Sequence, residues 1–450
     1  MCNLEYNHVV TSFVQSERKI LLLRRSRKVG TYQGRWAAVS GYLEEGDDPL
    51  ERAKTEIREE LGLTSEQFAY VRSGELLRTL DEKSDTVWVV YPFLFEVRKQ
   101  AIKLDWEHRW IDPEALGSYD VVPKLKETYD RVRWDLQFIS PALSDALRQV
   151  DSVAQDRVHG ATSLGRRSFE ILAEVVKVSN ASSSDELFRD FLLVISKLRK
   201  AQPSMSTIKN LTGKFLYQFD QASKSTDSVA ELKNLAGSLA RKAIGSVESK
   251  GKEVSRNCAS IVPERGTVLT HSYSNTIYES LKNAAEMGKD LQVYVTESRP
   301  GREGRLMSKE LANVGLPVTL IADSAAAAVF QDIDLVLVGA DSVLADGSVI
   351  NKIGTKAIAT VAHSDGIPLY VGCETAKFST GDLLGEPVEI CEMNQREILG
   401  DITERLIRAK NVYFDVTPAK YISEFITEKG PVEPAEVAGH IRIMLSEIYP

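Results

Sequence analysis

Cysteine is scarce in this chain. Cys2, Cys258, Cys373 and Cys391 are its only four in 450 residues, and none sits in a CxxC spacing. Such scatter excludes a disulfide framework and a cysteine-built zinc site, and it suits a reducing compartment. A long apolar run is lacking too: the most apolar stretch, Val87–Val97, is too short to span a bilayer and contains Pro92. The opening MCNLEYNHVV is too polar for a secretory leader. Positive charge is in deficit, with 56 Lys and Arg against 64 Asp and Glu and a net charge of -8. That balance argues against a broad nucleic-acid footprint, although acidic ligands remain open through local arginines or a metal ion. No internal repeat or low-complexity tail is present. The expectation is a soluble, cytoplasmic protein with neither membrane nor direct nucleic-acid partners.

A chain of 450 residues exceeds one ordinary core, so two or three domains are expected. Short β-type runs, His8–Phe13, Lys19–Leu23 and Thr86–Phe95, surround one strongly helical segment, Pro49–Leu61, which reads as mixed α+β. From about Ser140 to Asn257 the pattern is helical. Leu143, Leu147, Val150 and Val153 recur at helical spacing, as do Phe188, Phe191, Ile195 and Leu198. Polar breaks at Asn180–Ser184 and Ser223–Ser228 join helices. After Gly266, β-rich runs alternate with helical ones: Thr267–Thr270, Leu291–Thr296, Val318–Ala322, Leu335–Gly339 and Leu369–Gly372. That rhythm predicts a parallel sheet with helices on both faces. The expected domains are 1–137, mixed α+β; 138–258, all-α; and 259–450, α/β with a parallel sheet.

Chemistry concentrates first in Gly41–Leu63. Asp48 suits an N-cap, Pro49 the first helical position and Gly62 the residue past the helix end. Glu56, Glu59 and Glu60 fall at i, i+3 and i+4 and project from one face, where like charges repel. A hard divalent cation held by carboxylate oxygens removes that repulsion. The plainer alternative is a solvated acidic face. The whole string, glycine, five residues, an acid, seven residues, then x-Glu-apolar-x-Glu-Glu-x-Gly-apolar, resembles the Nudix box, and Leu22–Arg25 and Gly34–Gly41 resemble its flanks. The resemblance implies a Nudix hydrolase fold and cleavage of a nucleoside diphosphate derivative by water attack on phosphorus. It also implies Mg2+, with Mn2+ as a substitute, held by Glu56, Glu59 and Glu60 as catalytic ligands beside a carbonyl near Ser40–Gly41. Two positions depart from the box: Asp47 stands for glutamate, and Thr55 for an arginine that in the family helps hold the carboxylates, with Arg52 or Arg58 as candidate replacements. Arg24, Arg25 and Arg35 are candidate phosphate contacts, and Trp36, Trp88 and Trp110 suit a core better than a base stack.

A second concentration lies at the strand ends of the α/β region, where ligands of open parallel sheets bind. They read His271–Asn275, Glu297–Arg299, Asp323–Ser324, Gly339–Ser342 and Glu374–Thr375. Asn351–Thr355 is expected to open a helix whose amides and lysine favour a phosphate. Thr270–Ser274, Val295–Pro300, Gly339–Ser342, Ile350–Thr355 and Phe414–Pro418 resemble the family of translation initiation factor 2B regulatory subunits, ribose-1,5-bisphosphate isomerase and methylthioribose-1-phosphate isomerase, from about Val158 to Pro450. By that resemblance a helical part precedes a Rossmann-like α/β domain, which pairs into homodimers or higher assemblies. The same resemblance makes Asp341 the catalytic aspartate of the isomerases and puts Ser272 where they have cysteine, a far poorer acid as a hydroxyl. Val158–Ala161 carries His159 beside Gly160, and Ala201–Ser204 carries Gln202, each where the isomerases have arginine. Gly160, Ser272, Arg299, Asp341, Asn351 and Lys352 are the expected contacts to a sugar phosphate or nucleoside monophosphate. Three readings stand: a Nudix hydrolase with a ligand-sensing partner domain, a sugar-phosphate isomerase, and a non-catalytic regulatory protein. Ser272 counts against the second, and the intact glutamate set against the third.

Overall fold

The structure, a computed structural model, describes residues 4–17, 19–26, 31–82, 84–97, 102, 104, 106–133, 141–156, 159–226, 228–390 and 392–448. Cys2, Cys391, Trp134 and Val158 lie outside the described residues. The chain divides into two compact units, Met1–Phe138 and Ile139–Pro450.

The first unit is an eight-stranded sheet with helices. Its strands are β1 (Glu5–Ser16), β2 (Lys19–Arg24), β3 (Trp36–Ala37), β4 (Val39–Tyr42), β5 (Phe68–Ser73), β6 (Leu77–Asp81), β7 (Thr86–Val97) and β8 (His108–Ile111), with α1 (Pro49–Leu61) and α2 (Leu125–Asp130). The two longest, β1 and β7, pair in parallel from Glu5 against Thr86 to Gln15 against Glu96, and the remaining pairings are antiparallel. Alternation along β1 sends Val10 and Val14 to one core and Phe13 to another. Ala53, Ile57 and Leu61 form a stripe at i, i+4 and i+8 that packs α1 onto Val10, Val39 and Phe95. Burying side chains such as Ile57 and Leu61 contributes about 2 kcal/mol each.

The second unit begins with five helices: α3 (Ser144–Gln155), α4 (Ala161–Val178), α5 (Ser184–Ala201), α6 (Ser206–Ser223) and α7 (Val229–Ile261). Both polar breaks fall between helices, with Ser183 and Ser228 capping α5 and α7 through their side chains. Beyond α7 the strands are β9 (Arg265–Thr270), β10 (Asp290–Thr296), β11 (Val318–Ile321), β12 (Leu335–Val338), β13 (Ser342–Val343), β14 (Val349–Lys352), β15 (Leu369–Gly372), β16 (Phe414–Thr417), β17 (Glu424–Thr427) and β18 (Gly430–Val432). Seven of them make a sheet in the order β11-β10-β9-β12-β15-β17-β18, parallel except at the β17–β18 hairpin. Helices α7, α8 (Asn275–Glu286) and α9 (Glu303–Asn313) bury Cys258, Leu281 and Met307 against Val268, Val293, Leu335 and Leu337. On the alternate face Leu269, Val336 and Val338 are equally buried.

The structure corrects the sequence at one element. Asn351 and Lys352 do not open a helix: they end β14, which pairs antiparallel with β13 and β16 in a separate three-stranded sheet. The helix that follows, α10 (Thr355–Ser364), starts three residues later, after Gly354 at φ 107. The apolar, β-branched Val349 and Ile350 face strand partners on both sides, so the strand persists until the glycine permits the turn. Among the described residues no helix is long and apolar enough to cross a membrane.

Candidate functional sites

Helix α1 is fixed at both ends. The Asp48 carboxylate accepts the Glu51 N–H at 2.9 Å, Pro49 follows, and Gly62 closes the helix at φ 64. Its apolar stripe pins the adjacent acidic residues against β4. Gly41 on β4 is bare where a Cβ would run into the Glu56 carboxylate, so glycine is what admits that side chain. The three glutamates are buried to different degrees: Glu56 is buried, Glu60 half-buried and Glu59 exposed. Burial, and then the Glu56 charge, pushes the Glu60 carboxyl up to about 7, opposed by Arg25 and the Ser40 N–H. Burial also raises Glu56, against the pull of Arg52. Carboxyls crowded this way hold protons more readily than usual.

Arg52 and Arg58, on either side of Thr55, have different partners. Arg52 forms an ion pair with Glu56 one turn along the helix. Arg58 instead donates to Thr55 Oγ1 at 2.8 Å, and that hydroxyl donates to the Glu51 carbonyl at 2.9 Å. Thr55 itself brings no cation to the glutamates, and Arg52 places one on Glu56. Asp47, the other departure, accepts the Glu44 N–H at 3.0 Å and shapes the turn ahead of α1.

Each candidate phosphate arginine has a local partner. Arg24 contacts Glu107 at 2.9 Å, Arg25 donates to the Thr31 carbonyl at 3.1 Å, and Arg35 faces Asp120 at 3.3 Å. Of the three, Arg25 lies close enough to act on Glu60. Trp36 is core, with Arg24 and Arg109 over its ring, and Trp110 packs on the other core cluster. Trp88 is half-buried near exposed Tyr42, and its indole N–H has no partner among the described residues.

No three His, Cys, Asp or Glu side chains among the described residues converge as a ready-made metal site. The donor chemistry nevertheless fits a hard cation. Glu56, Glu59 and Glu60 offer oxygen ligands, the first and last with raised proton affinity that a divalent charge would reverse.

In the second unit, strand order reverses between β9 and β12, each leading into a different half of the sheet. Chains leaving there diverge and open a crevice at the carboxyl ends. A cavity of about 320 Å³ occupies that position, lined by Ser272–Thr276 after β9 and Gly339–Asp341 after β12, with Asp156, His159–Ser163 and Gln202 from the helical part. Gly160, Ser272, Asp341, Asn351 and Lys352 come together there, as the sequence leads one to expect. Arg299 is not among the lining residues. Its backbone N–H, like that of Ser298, is tied to the Asp323 carboxylate at 2.7 Å.

Asp341 is buried, and burial pushes its carboxyl up to about 6 despite Lys377 and Lys352 nearby. Lys352 pairs with Glu303 at 2.7 Å and lies over the Tyr413 ring. The amides at the start of α10, expected to face a phosphate, are taken by Asp415, whose carboxylate accepts the Gly354 N–H at 2.8 Å. His271 is buried and fully engaged. Its Nε2 donates to the Ile353 carbonyl at 2.8 Å, leaving Nδ1 to accept from Thr296 Oγ1 at 2.5 Å. Burial lowers its proton affinity further. Neither nitrogen is left for Ser272, which sits at φ 67 with its N–H bound to Ser298 Oγ at 2.8 Å.

Gln202 lines the cavity with its amide N–H donating to the Val153 carbonyl at 2.8 Å, and His159 pairs with Asp156 at 2.9 Å. Sequence reasoning missed Glu303, Lys377 and Thr162. Lys377 is buried and faces Glu374 at 3.3 Å, whose carboxylate also accepts from Thr162 at 3.1 Å. A signal was available for two of them: Lys377 follows the polar strand end Glu374–Thr375, and Thr162 follows Gly160–Ala161.

Comparison with known proteins adds the family. A model described as the Initiation factor 2 subunit family matches residues 157–434, and one described as the NUDIX domain matches residues 6–132. A ribose 1,5-bisphosphate isomerase of Archaeoglobus fulgidus is 33% identical over 293 residues, 65% of this chain and 91% of that protein. The crystal structure of translation initiation factor eIF-2B from Pyrococcus horikoshii superposes with a TM-score of 0.56 at 27% identity, covering 65% of this chain and 98% of that one. A 5-methylthioribose 1-phosphate isomerase from the same organism gives 0.54 at 26% identity, covering 67% and 87%.

Proposed function

Given that the chain belongs to the Initiation factor 2 subunit family and also carries a NUDIX domain, a hydrolase domain, we propose that its first unit is a magnesium-dependent pyrophosphohydrolase and its second a sensor of a phosphorylated sugar or nucleotide. The observation that carries the first half is the crowding of Glu56, Glu59 and Glu60 beside bare Gly41. These three carboxylates would hold the cation, which polarises the diphosphate and lowers the pKa of attacking water. Arg52 holds Glu56 in place, and Arg25 offers charge close to Glu60. The substrate class is a nucleoside diphosphate derivative. Release of nucleoside monophosphate from a panel of such compounds with Mg2+ tests this; no release from any member would remove the hydrolase reading.

In the second unit, binding without turnover is the reading supported by His271. Moving a proton along an opened sugar needs a group that titrates near the working pH. Ser272 has no such partner, because both nitrogens of the neighbouring imidazole are committed elsewhere. Retention of buried Asp341 favours the isomerase as the second reading. Exposed Ile398, Ile402, Leu406 and Ile407 support assembly of this unit into a homodimer or larger oligomer.

A further inference from the structure

Tyr32 lies in the connection from β2 to β3 at φ 50, a left-handed backbone that a bulky side chain rarely adopts. Such a conformation persists only where the surroundings hold it. The Tyr32 hydroxyl donates to the Asp81 carboxylate at 3.3 Å, across 49 residues of sequence, at the end of β6. The ring is half-buried. Burial, and then the Asp81 charge, raises the phenol above its ordinary range, so the hydroxyl stays protonated and able to donate.

That bond secures the residue before it. Thr31 receives the Arg25 guanidinium twice, Nε on its carbonyl at 3.1 Å and Nη2 on its hydroxyl at 3.4 Å. Main-chain bonds close the base of the connection: the Arg25 N–H donates to the Arg35 carbonyl at 2.9 Å, and the Gly34 N–H to the Arg25 carbonyl at 3.1 Å. These fix the Arg25 backbone, and Thr31 fixes its side chain. Strands β2 and β3 pair at Leu23 against Ala37, and Ser40, three residues on, gives its N–H to Glu60. The guanidinium thereby stands within electrostatic reach of both Glu60 and Tyr32. A series of contacts runs from β6 to the acidic cluster through Asp81, Tyr32, Thr31 and Arg25.

Resting on the hydrolase reading of the first unit, we infer that Tyr32 is a positioning residue for the reaction: its bond to Asp81 holds Thr31, and through Thr31 the Arg25 guanidinium, beside Glu60. Arg25 meets the substrate, and Tyr32 acts through it. A cation already in place when charge develops on phosphate oxygens stabilises the transition state without first having to be ordered. The effect of the tether therefore belongs to turnover more than to ground-state binding.

The test is steady-state hydrolysis by the full chain, with Mg2+, of ADP-ribose, UDP-glucose, GDP-mannose and NADH, followed on whichever is cleaved fastest. Tyr32→Phe keeps the ring and removes the hydroxyl. It should lower kcat about fivefold to tenfold and move KM by less than about twofold. Arg25→Ala should lower kcat about tenfold to a hundredfold. Added to Arg25→Ala, Tyr32→Phe should change kcat by less than about twofold, since no guanidinium is left to position. Mn2+ affinity, read by paramagnetic resonance, should not fall in Tyr32→Phe. Asp81→Asn, which keeps an acceptor oxygen, should lose less activity than Asp81→Ala. Full activity in Tyr32→Phe overturns the inference and leaves the hydrolase reading intact. The same loss from Tyr32→Phe with and without Arg25, or a fall in its Mn2+ affinity, does so too, because the residue would then act on the fold at large. Where Tyr32→Phe fails to fold, the two Asp81 variants decide, and equal losses overturn the inference. No cleavage of any of the four compounds would overturn the hydrolase reading and the inference with it.

Discussion

Acidic groups in the first unit crowd together with too few partners, whereas in the second unit every cation lining the cavity faces an acid. Around α1 the Glu60 carboxyl rises to about 7, partly because Glu56 stands beside it. Around the cavity, Lys352 with Glu303 and Lys377 with Glu374 are buried ion pairs. An unbalanced cluster of hard oxygens suits a divalent cation that takes part in chemistry. A balanced, buried set suits recognition by hydrogen bonds, since its charges are already spent on each other. The contrast extends to the positions that depart from family patterns. Beside Thr55, which carries no charge, Arg52 reaches Glu56 and gives the acidic site a cation. At Ser272 the neighbouring imidazole is bound to Ile353 and Thr296, so the position keeps no acid or base.

The sharpest break in this contrast comes from neutralising the acidic cluster. Glu59→Gln or Glu60→Gln should lower hydrolysis by roughly a thousandfold while ligand binding by the second unit is unchanged. Steady-state rates paired with calorimetry check both halves, and full activity in either variant would undo the assignment. Glu59 is exposed, so its loss should leave folding intact.

Asp341 provides the next largest effect, in stability. Its carboxyl rises from 3.8 to about 6 by burial, so the folded state holds the proton more tightly than the unfolded chain. The contribution of Asp341 to stability should therefore fall as pH rises from about 4 to about 6. Asp341→Asn lacks this titration, and its stability relative to the unaltered protein should climb by roughly 3 kcal/mol across that window, then level off. Denaturant unfolding at several pH values measures it. A flat difference would mean that the lysines, not burial, govern this group.

Smaller effects surround Thr55. Arg52→Ala should cost about tenfold in hydrolysis and weaken Mn2+ binding measured by paramagnetic resonance, since a charge-assisted contact is lost. Thr55→Arg added to that variant should recover most of the loss. Alone, Thr55→Arg should change the rate by less than about threefold, because Glu56 already has its cation. A large gain from Thr55→Arg alone would show that Arg52 is not a replacement.

Periodic and local features were legible in the sequence. The limits of α1, Pro49–Leu61, follow from Asp48, Pro49 and Gly62, and the breaks around Ser183 and Ser228 follow from side-chain caps. Convergence of Ser272 and Asp341 was legible because parallel strands deliver their ends to one edge, whereas Asn351 and Lys352 reach the same cavity from β14 of the antiparallel sheet. Less legible were features set by tertiary pairing. The β13–β14–β16 sheet depends on Phe414–Thr417 arriving from far along the chain, so Asn351 and Lys352 read locally as a helix start. Nor does the sequence show that Asp415 would fill the amide site ahead of α10, or that Glu303 would meet Lys352 across 49 residues. Commitment of both His271 nitrogens is likewise visible only in three dimensions.

Phosphorus NMR of the full chain with Mg2+, a panel of nucleoside diphosphate sugars and ribose 1,5-bisphosphate in one sample tests the central claim directly: the first unit does chemistry and the second does not. The account expects diphosphate resonances of at least one panel member to give way to monophosphates while the ribose bisphosphate signals persist. Conversion of the ribose bisphosphate to its ketose at an enzymatic rate, or diphosphates left intact throughout, would contradict it.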